Sequence, residues 1–133
     1  MSGSLTRTAA QMVADARQRV EGLTPEQVAA EIGSGRALLV DLRESEERTQ
    51  AGIIAGALHV PRGMLEFCAD PSGPYHRAEL EPSRRVILHC ASGGRSALAA
   101  DLLTSMGYTD VAHLDGGLKG WREAGRPVEG GAA

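Results

Sequence analysis

Val86-Ile87-Leu88-His89-Cys90-Ala91-Ser92-Gly93-Gly94-Arg95-Ser96 is the stretch that decides the fold. Its apolar run, from Arg85 to His89, has no polar alternation, which is the pattern of a strand covered on both faces. The run stops at Cys90, and a glycine-containing turn leads into a helix expected from Ser96, with Leu98, Leu102, Leu103 and Met106 on its buried side and Gly107 at its end. A cysteine at the carboxyl end of such a strand has backbone N–H groups and a helix N-terminus aimed at its sulfur, which favours the thiolate. Arg95 adds a fixed positive charge, and Gly93 and Gly94 allow the positive φ angles that curl a chain around an anion. A free cysteine that merely packs would leave the paired glycines, the arginine and the helix start unexplained together. The residues describe a nucleophile that handles an anionic sulfur or oxyanion.

Outward from this stretch, strands and helices alternate. Met12, Val13, Ala16 and Val20 recur at helical spacing and predict an amphipathic helix over residues 9 to 20. In Leu23-Thr24-Pro25-Glu26-Gln27-Val28, Thr24 and Gln27 form a capping box, Pro25 suits the first helical position, and Leu23 with Val28 makes a hydrophobic staple. That predicts a helix from about 25 to 32, ending at Gly33. Ala37 to Val40 reads as a buried strand ending at Asp41, Ser45 to Ala51 as a helix stopped by Gly52, and Ala57 to Val60 as a strand stopped by Pro61. Gly63 to Cys68 reads as a helical turn or two, Val111 to Leu114 as a strand, and Leu118 and Trp121 as the inner face of a last helix after the Gly116-Gly117 turn. The expected class is α/β, an open parallel sheet with helices on both faces joined by right-handed crossovers. In such sheets ligands bind beyond the carboxyl ends of the strands, where Cys90 falls.

With 133 residues and 42% hydrophobic content, the chain has the size of one domain. Its 14 basic and 17 acidic residues give a net charge of -3 and no basic field, so no nucleic-acid partner is expected. No stretch is long and apolar enough for a membrane span, the first residues lack the apolar core of a secretory signal, and a cytoplasmic location is expected. Cys68 and Cys90 are expected to remain unpaired, Cys68 buried in its helix. The four histidines, His59, His76, His89 and His113, show no metal-ligand spacing, so neither metal nor other cofactor is assigned.

Five short motifs together resemble the single-domain rhodaneses, a sulfurtransferase family. They are Leu-Thr-Pro-Glu-Gln from Leu23, Val-Asp-Leu-Arg-Glu from Val40 to Glu44, Gly56-Ala57 leading to Val60-Pro61, the Cys90 to Ser96 loop, and Leu-Asp-Gly-Gly-Leu-Lys-Gly-Trp from Leu114 to Trp121. The chain departs from the family where Gly52-Ile53-Ile54 replaces a common Gly-His-Ile. The resemblance divides it into an N-terminal extension (1–22, helical from about 9), a rhodanese-like domain (23–129) and a frayed end (130–133), with fraying also expected over residues 1 to 7. The extension adds a helix to the usual domain.

The mechanism implied is double displacement without a cofactor: Cys90 takes the outer sulfur of a donor such as thiosulfate as a persulfide and passes it to cyanide or a thiol. Ala91, Ser92, Gly93, Gly94, Arg95 and Ser96 form the binding loop, whose amides and guanidinium stabilise the sulfur, while Ser96 either donates to it or caps its helix. Asp41 and Arg43 are expected to brace the site, Arg62 to stand near its mouth, and His89 to be a satisfied structural histidine turned from the sulfur. Two rivals remain. A sulfur relay or binding module served by a protein partner would use the same loop, with the N-terminal helix as a docking element. A cysteine phosphatase carries a similar Cys-to-Arg loop but with five residues between the two; here there are four, and the pocket is expected to be too small for a phosphate ester.

Overall fold

The computed structural model describes residues 3–132. The elements in chain order are α1 (Ala9–Arg19), β1 (Glu21–Leu23), α2 (Pro25–Gly33), β2 (Leu38–Asp41), α3 (Ser45–Ala51), β3 (Leu58–His59), a 3-10 turn (Arg62–Met64), α4 (Leu65–Ala69), β4 (Val86–His89), α5 (Gly94–Met106), β5 (Val111–Leu114) and α6 (Gly117–Glu123). The five strands form one sheet in the order β1-β5-β4-β2-β3, every neighbouring pair parallel. This is the α/β arrangement expected from the sequence, an open parallel sheet with helices on both faces.

Strand alternation sorts the core into two layers. Leu38, Val40, Val86 and Leu88 point to the face covered by α4 and α5, where Leu65, Ala99, Ala100, Leu103 and Tyr108 fill the space. Leu39, Ile87, Ala112 and Leu114 point to the other face, against Leu23, Val28, Leu118 and Trp121. Ile87 and Leu88 are fully buried on opposite faces, each side chain contributing about 1.5–3 kcal/mol by burial. The absence of polar alternation in β4 follows from this double coverage.

Local signals explain most boundaries. At α2, Thr24 accepts the Gln27 N–H and Gln27 accepts the Thr24 N–H, with Pro25 at the first position. An unanticipated second capping box, Thr8 with Gln11, starts α1. That helix packs along α5, with Ala16 fully buried and Arg19 gripping Asp101 at 2.6 Å. Met12, expected on the buried face, is 41% exposed instead.

Two details depart from the sequence expectations. β1 has no counterpart in the sequence reading: it is three residues long, contains Gly22, and draws its order from pairing with β5. α5 starts at Gly94 rather than Ser96. At the carboxyl end Glu129 bridges Ile53, and the Ala132 N–H donates to the Gln50 carbonyl at 2.8 Å. The fraying expected for residues 1 to 7 and 130 to 133 extends onto residues 1, 2 and 133, which lie outside those described; residues 3–7 carry no helix or strand. No described helix is long and apolar enough to cross a membrane.

Candidate active site

Cys90 follows the last residue of β4, and its side chain is 1% exposed. The Gly93 N–H donates to its sulfur at 3.2 Å, and the Ser96 hydroxyl stands 3.7 Å away. Gly93 takes φ +106°, the left-handed conformation that turns the chain directly into α5. Gly94 is already helical, so one glycine makes the turn rather than both. Ser96 is inside the first turn of the helix, not at its cap: its hydroxyl donates toward the Gly93 carbonyl at 3.2 Å and lies 2.9 Å from His113 Nδ1.

The loop is held from behind by the turn after β5. The N–H groups of Leu118 and Lys119 donate to the carbonyls of Cys90 and Ala91 at 2.9 and 3.0 Å. Gly117, at φ +60°, permits this approach: a β-carbon there would stand 2.6 Å from the Ala91 carbonyl carbon. Arg17 of α1 also reaches the loop, pairing with Asp115 at 3.6 Å and lying against Gly93.

Arg95 is not free to face an anion alone. It makes a bidentate pair with Glu47 of α3, both bonds 2.7 Å. The Arg95 hydrogen bonds hold the Glu47 carboxyl down to about 2, and Glu47 first, then Cys90, hold Arg95 in its charged form. Glu47 escaped the sequence reading because a pairing across 48 positions leaves no local signature; the acidic first turn Ser45-Glu46-Glu47 was the only trace.

Asp41 and Arg43 form a fully buried pair at 2.9 Å, with Arg48 on the same carboxylate at 3.1 Å. Burial opposes the Asp41 charge, but the Arg43 hydrogen bonds outweigh it and lower its pKa. Arg43 also donates to the Gly52 carbonyl, while its Nη1 has no partner. His89 is buried beside this group, 3.8 Å from Asp41 Oδ1. It is not the satisfied histidine expected: Nε2 has no hydrogen-bond partner and Nδ1 makes only a 3.4 Å contact with the Cys90 carbonyl. Burial pushes its pKa down and keeps it neutral.

A cavity of about 580 Å³ opens beside Ala91, with Arg43, Glu47, Ala51, Leu118, Lys119 and Arg122 in its wall. Of the loop residues only Ala91 lines it. Arg62 is not in that wall; it pairs with Glu66 one turn along. Cys68 is buried in the α4 side of the core. Ala91 thus joins loop and cavity, Ser92 is exposed on the loop's outer side, and among the described residues no cluster of His, Cys, Asp and Glu could hold a metal ion.

The structure thus sets a cysteine at the end of a central parallel strand of an α/β domain, with a glycine turn and an arginine beside it. A model of the rhodanese-like domain matches residues 24–124, and the chain belongs to that family of sulfurtransferases. A sulfurtransferase of Allochromatium vinosum is 35% identical over 91 residues, covering 68% of this chain and 77% of that one. The human thiosulfate:glutathione sulfurtransferase is 32% identical over 98 residues, covering 69% and 84%. A solved structure from Rhodopseudomonas palustris, of a protein of unknown function described as a possible tyrosine phosphatase, is 38% identical with a TM-score of 0.91, covering 97% of this chain and 99% of that one. That superposition takes in α1.

Proposed function

We propose that this chain moves sulfane sulfur through a Cys90 persulfide, from a small anionic donor such as thiosulfate to cyanide or a thiol. The observation that carries this is the Gly93 N–H donating to the Cys90 sulfur at the end of β4. The Cys90 thiolate attacks the outer sulfur of thiosulfate; the sulfur–sulfur bond breaks and sulfite leaves with its electron pair. The acceptor then attacks the terminal sulfur of the persulfide, and the Cys90 thiolate departs as leaving group. Arg95, oriented by Glu47, and the loop Ala91 to Ser96 stabilise the charge on sulfur. Asp41 and Arg43 brace the loops, and neither metal nor organic cofactor takes part.

The test is intact-mass measurement after incubation with thiosulfate or 3-mercaptopyruvate. One added sulfur on the wild type, absent in Cys90→Ser and removed by cyanide, is expected. No adduct with either donor overturns small-donor transfer, and an adduct that no small acceptor discharges points to a protein-partnered relay.

The Rhodopseudomonas likeness brings phosphate-ester hydrolysis forward as a second reading. Against it stand the four residues between Cys90 and Arg95 and the engagement of Arg95 by Glu47. Aryl phosphates are expected to be inert, and phosphate release that disappears in Cys90→Ser would reverse this preference.

A further inference from the structure

Behind the sulfur, Ser96 of the loop meets a buried histidine, His113, that the transfer steps above do not use. Ser96 has no exposed surface and His113 is 1% exposed. Ser96 Oγ stands between imidazole and nucleophile, 2.9 Å from His113 Nδ1 and 3.7 Å from Cys90 Sγ. We propose that Ser96 and His113 form a proton relay that ionises Cys90 from the inner side of its loop, Ser96 touching the sulfur and His113 acting through it as a positioning residue.

In the thiol form the S–H donates to Ser96 Oγ, and the Ser96 hydroxyl donates to His113 Nδ1. In the transfer the S–H bond breaks as its proton passes to Oγ, and the O–H bond breaks as the serine proton passes to Nδ1. Sulfur keeps its electron pair, serine is unchanged, and the products are thiolate and imidazolium. The hydrogen bonds then reverse direction: Nδ1–H donates to Oγ, and the hydroxyl donates to the thiolate alongside the Gly93 N–H at 3.2 Å. The Gly93 carbonyl, 3.2 Å from Oγ, is the competing acceptor, farther away than the imidazole.

The surroundings suit this task. Burial lowers the His113 pKa, so the ring rests neutral, and in the tautomer protonated at Nε2 the lone pair on Nδ1 accepts from Ser96. Asp115, from the turn after β5, favours the imidazolium, while Arg17 from α1 opposes it; the two are paired with each other at 3.6 Å. β1 presents Gly22, where a β-carbon would stand 3.7 Å from Nε2, and β4 presents apolar Leu88 in register. Because thiolate and imidazolium form together, the buried site gains no net charge.

This inference rests on Cys90 being the nucleophile. It is tested in the full chain carrying Cys68→Ala, so that Cys90 is the only thiol, by the pH profile of iodoacetamide alkylation. Ser96→Ala is expected to move the midpoint up by about one pH unit, a tenfold loss of thiolate below it. His113→Asn keeps a hydrogen-bonding group near the Nδ1 position but cannot take up the proton; the same shift is expected, and the double variant should shift no further because the residues act in series. Ser96→Thr, which keeps the hydroxyl, should restore the wild-type profile. An unmoved midpoint in folded Ser96→Ala, rescue by His113→Asn, or additive shifts in the double variant would each overturn the relay. If His113→Asn does not fold, the Ser96→Ala and Ser96→Thr pair decides. Alkylation needs no sulfur donor, so failure of the relay and failure of persulfide formation by intact mass are read separately.

Discussion

Strands β2 and β4 run side by side with Asp41 opposite His89, and their ends carry the charged and reactive groups of the site in contrasting ways. At the end of β2, Asp41 is saturated: it accepts from the buried Arg43, through both its backbone and its guanidinium, and from the half-buried Arg48. At the end of β4, Cys90 receives one backbone hydrogen bond and one distant hydroxyl. A buried charge with every lone pair occupied is a brace, whereas the nucleophile proposed at Cys90 must keep capacity for the group it will bind. The largest test of this contrast is Cys90→Ser, which should abolish the sulfur adduct and cyanide-dependent thiocyanate formation while leaving the fold intact. Cys68→Ala, inside the apolar core, should keep most of the turnover. Thiocyanate production by folded Cys90→Ser at the wild-type rate would erase the distinction between the two strand ends.

The brace predicts a stability effect next in size. Asp41→Ala strands two arginines, Arg43 beneath the surface and Arg48 beside it, and removing one partner of a buried pair costs about 3–5 kcal/mol. Urea unfolding followed by circular dichroism measures it. A loss of less than roughly 1 kcal/mol, the range of exposed pairs, would show that the arginines find water or other acceptors and that the end of β2 is not a sealed cluster.

The same contrast separates what was legible in the sequence from what was not. α3, from Ser45 to Ala51, and β5, from Val111 to Leu114, match their sequence readings residue for residue because Gly52 and the short apolar run mark them locally. The loop from Cys90 to Arg95 was legible because a strand end, a glycine turn and a charge sit within seven consecutive positions. The contacts of Glu47, His113, Asp115 and Gly117 with the loop were not, since each reaches it across the fold; Asp115 and Gly117 were visible only as parts of a motif and a turn. Gly22 hid β1 in a similar way: its strand exists through pairing with β5 rather than through propensity.

Arg95 and Glu47 test the boundary between brace and reactive end, since the pair belongs to both. Arg95→Ala removes one of several groups favouring the anion, so persulfide formation should slow several-fold without vanishing. Glu47→Gln keeps the shape of the contact but releases Arg95 from its ion pair, and should change the rate by less than Arg95→Ala does. Equal and complete loss in both variants, with normal folding, would mean that the pair acts as one indispensable unit rather than as a positioned charge.

The smallest effect is the pH dependence that Glu47 contributes to stability. In the folded protein the hydrogen bonds from Arg95 hold its carboxyl down to about 2, whereas the unfolded chain returns it to the ordinary carboxylate range near ~4.3. The unfolded state therefore binds the proton first as pH falls, so the contribution is fully present above the unfolded value and drains away between there and about 2. Both side chains are about a third exposed, at 34% and 37%, so screening limits the stabilisation to about 1 kcal/mol or less at neutral pH. The neutral, buried His89 and His113 and the buried Asp41 also lose stability in acid, which makes the absolute curve uninformative about Glu47. The difference between wild type and Glu47→Gln isolates it: the gap in unfolding free energy should be constant from pH 7 to 5 and close as pH falls toward 3. A gap that persists unchanged at the acidic end would show that Glu47 contributes through packing and the α3 capping box rather than through its charge on Arg95.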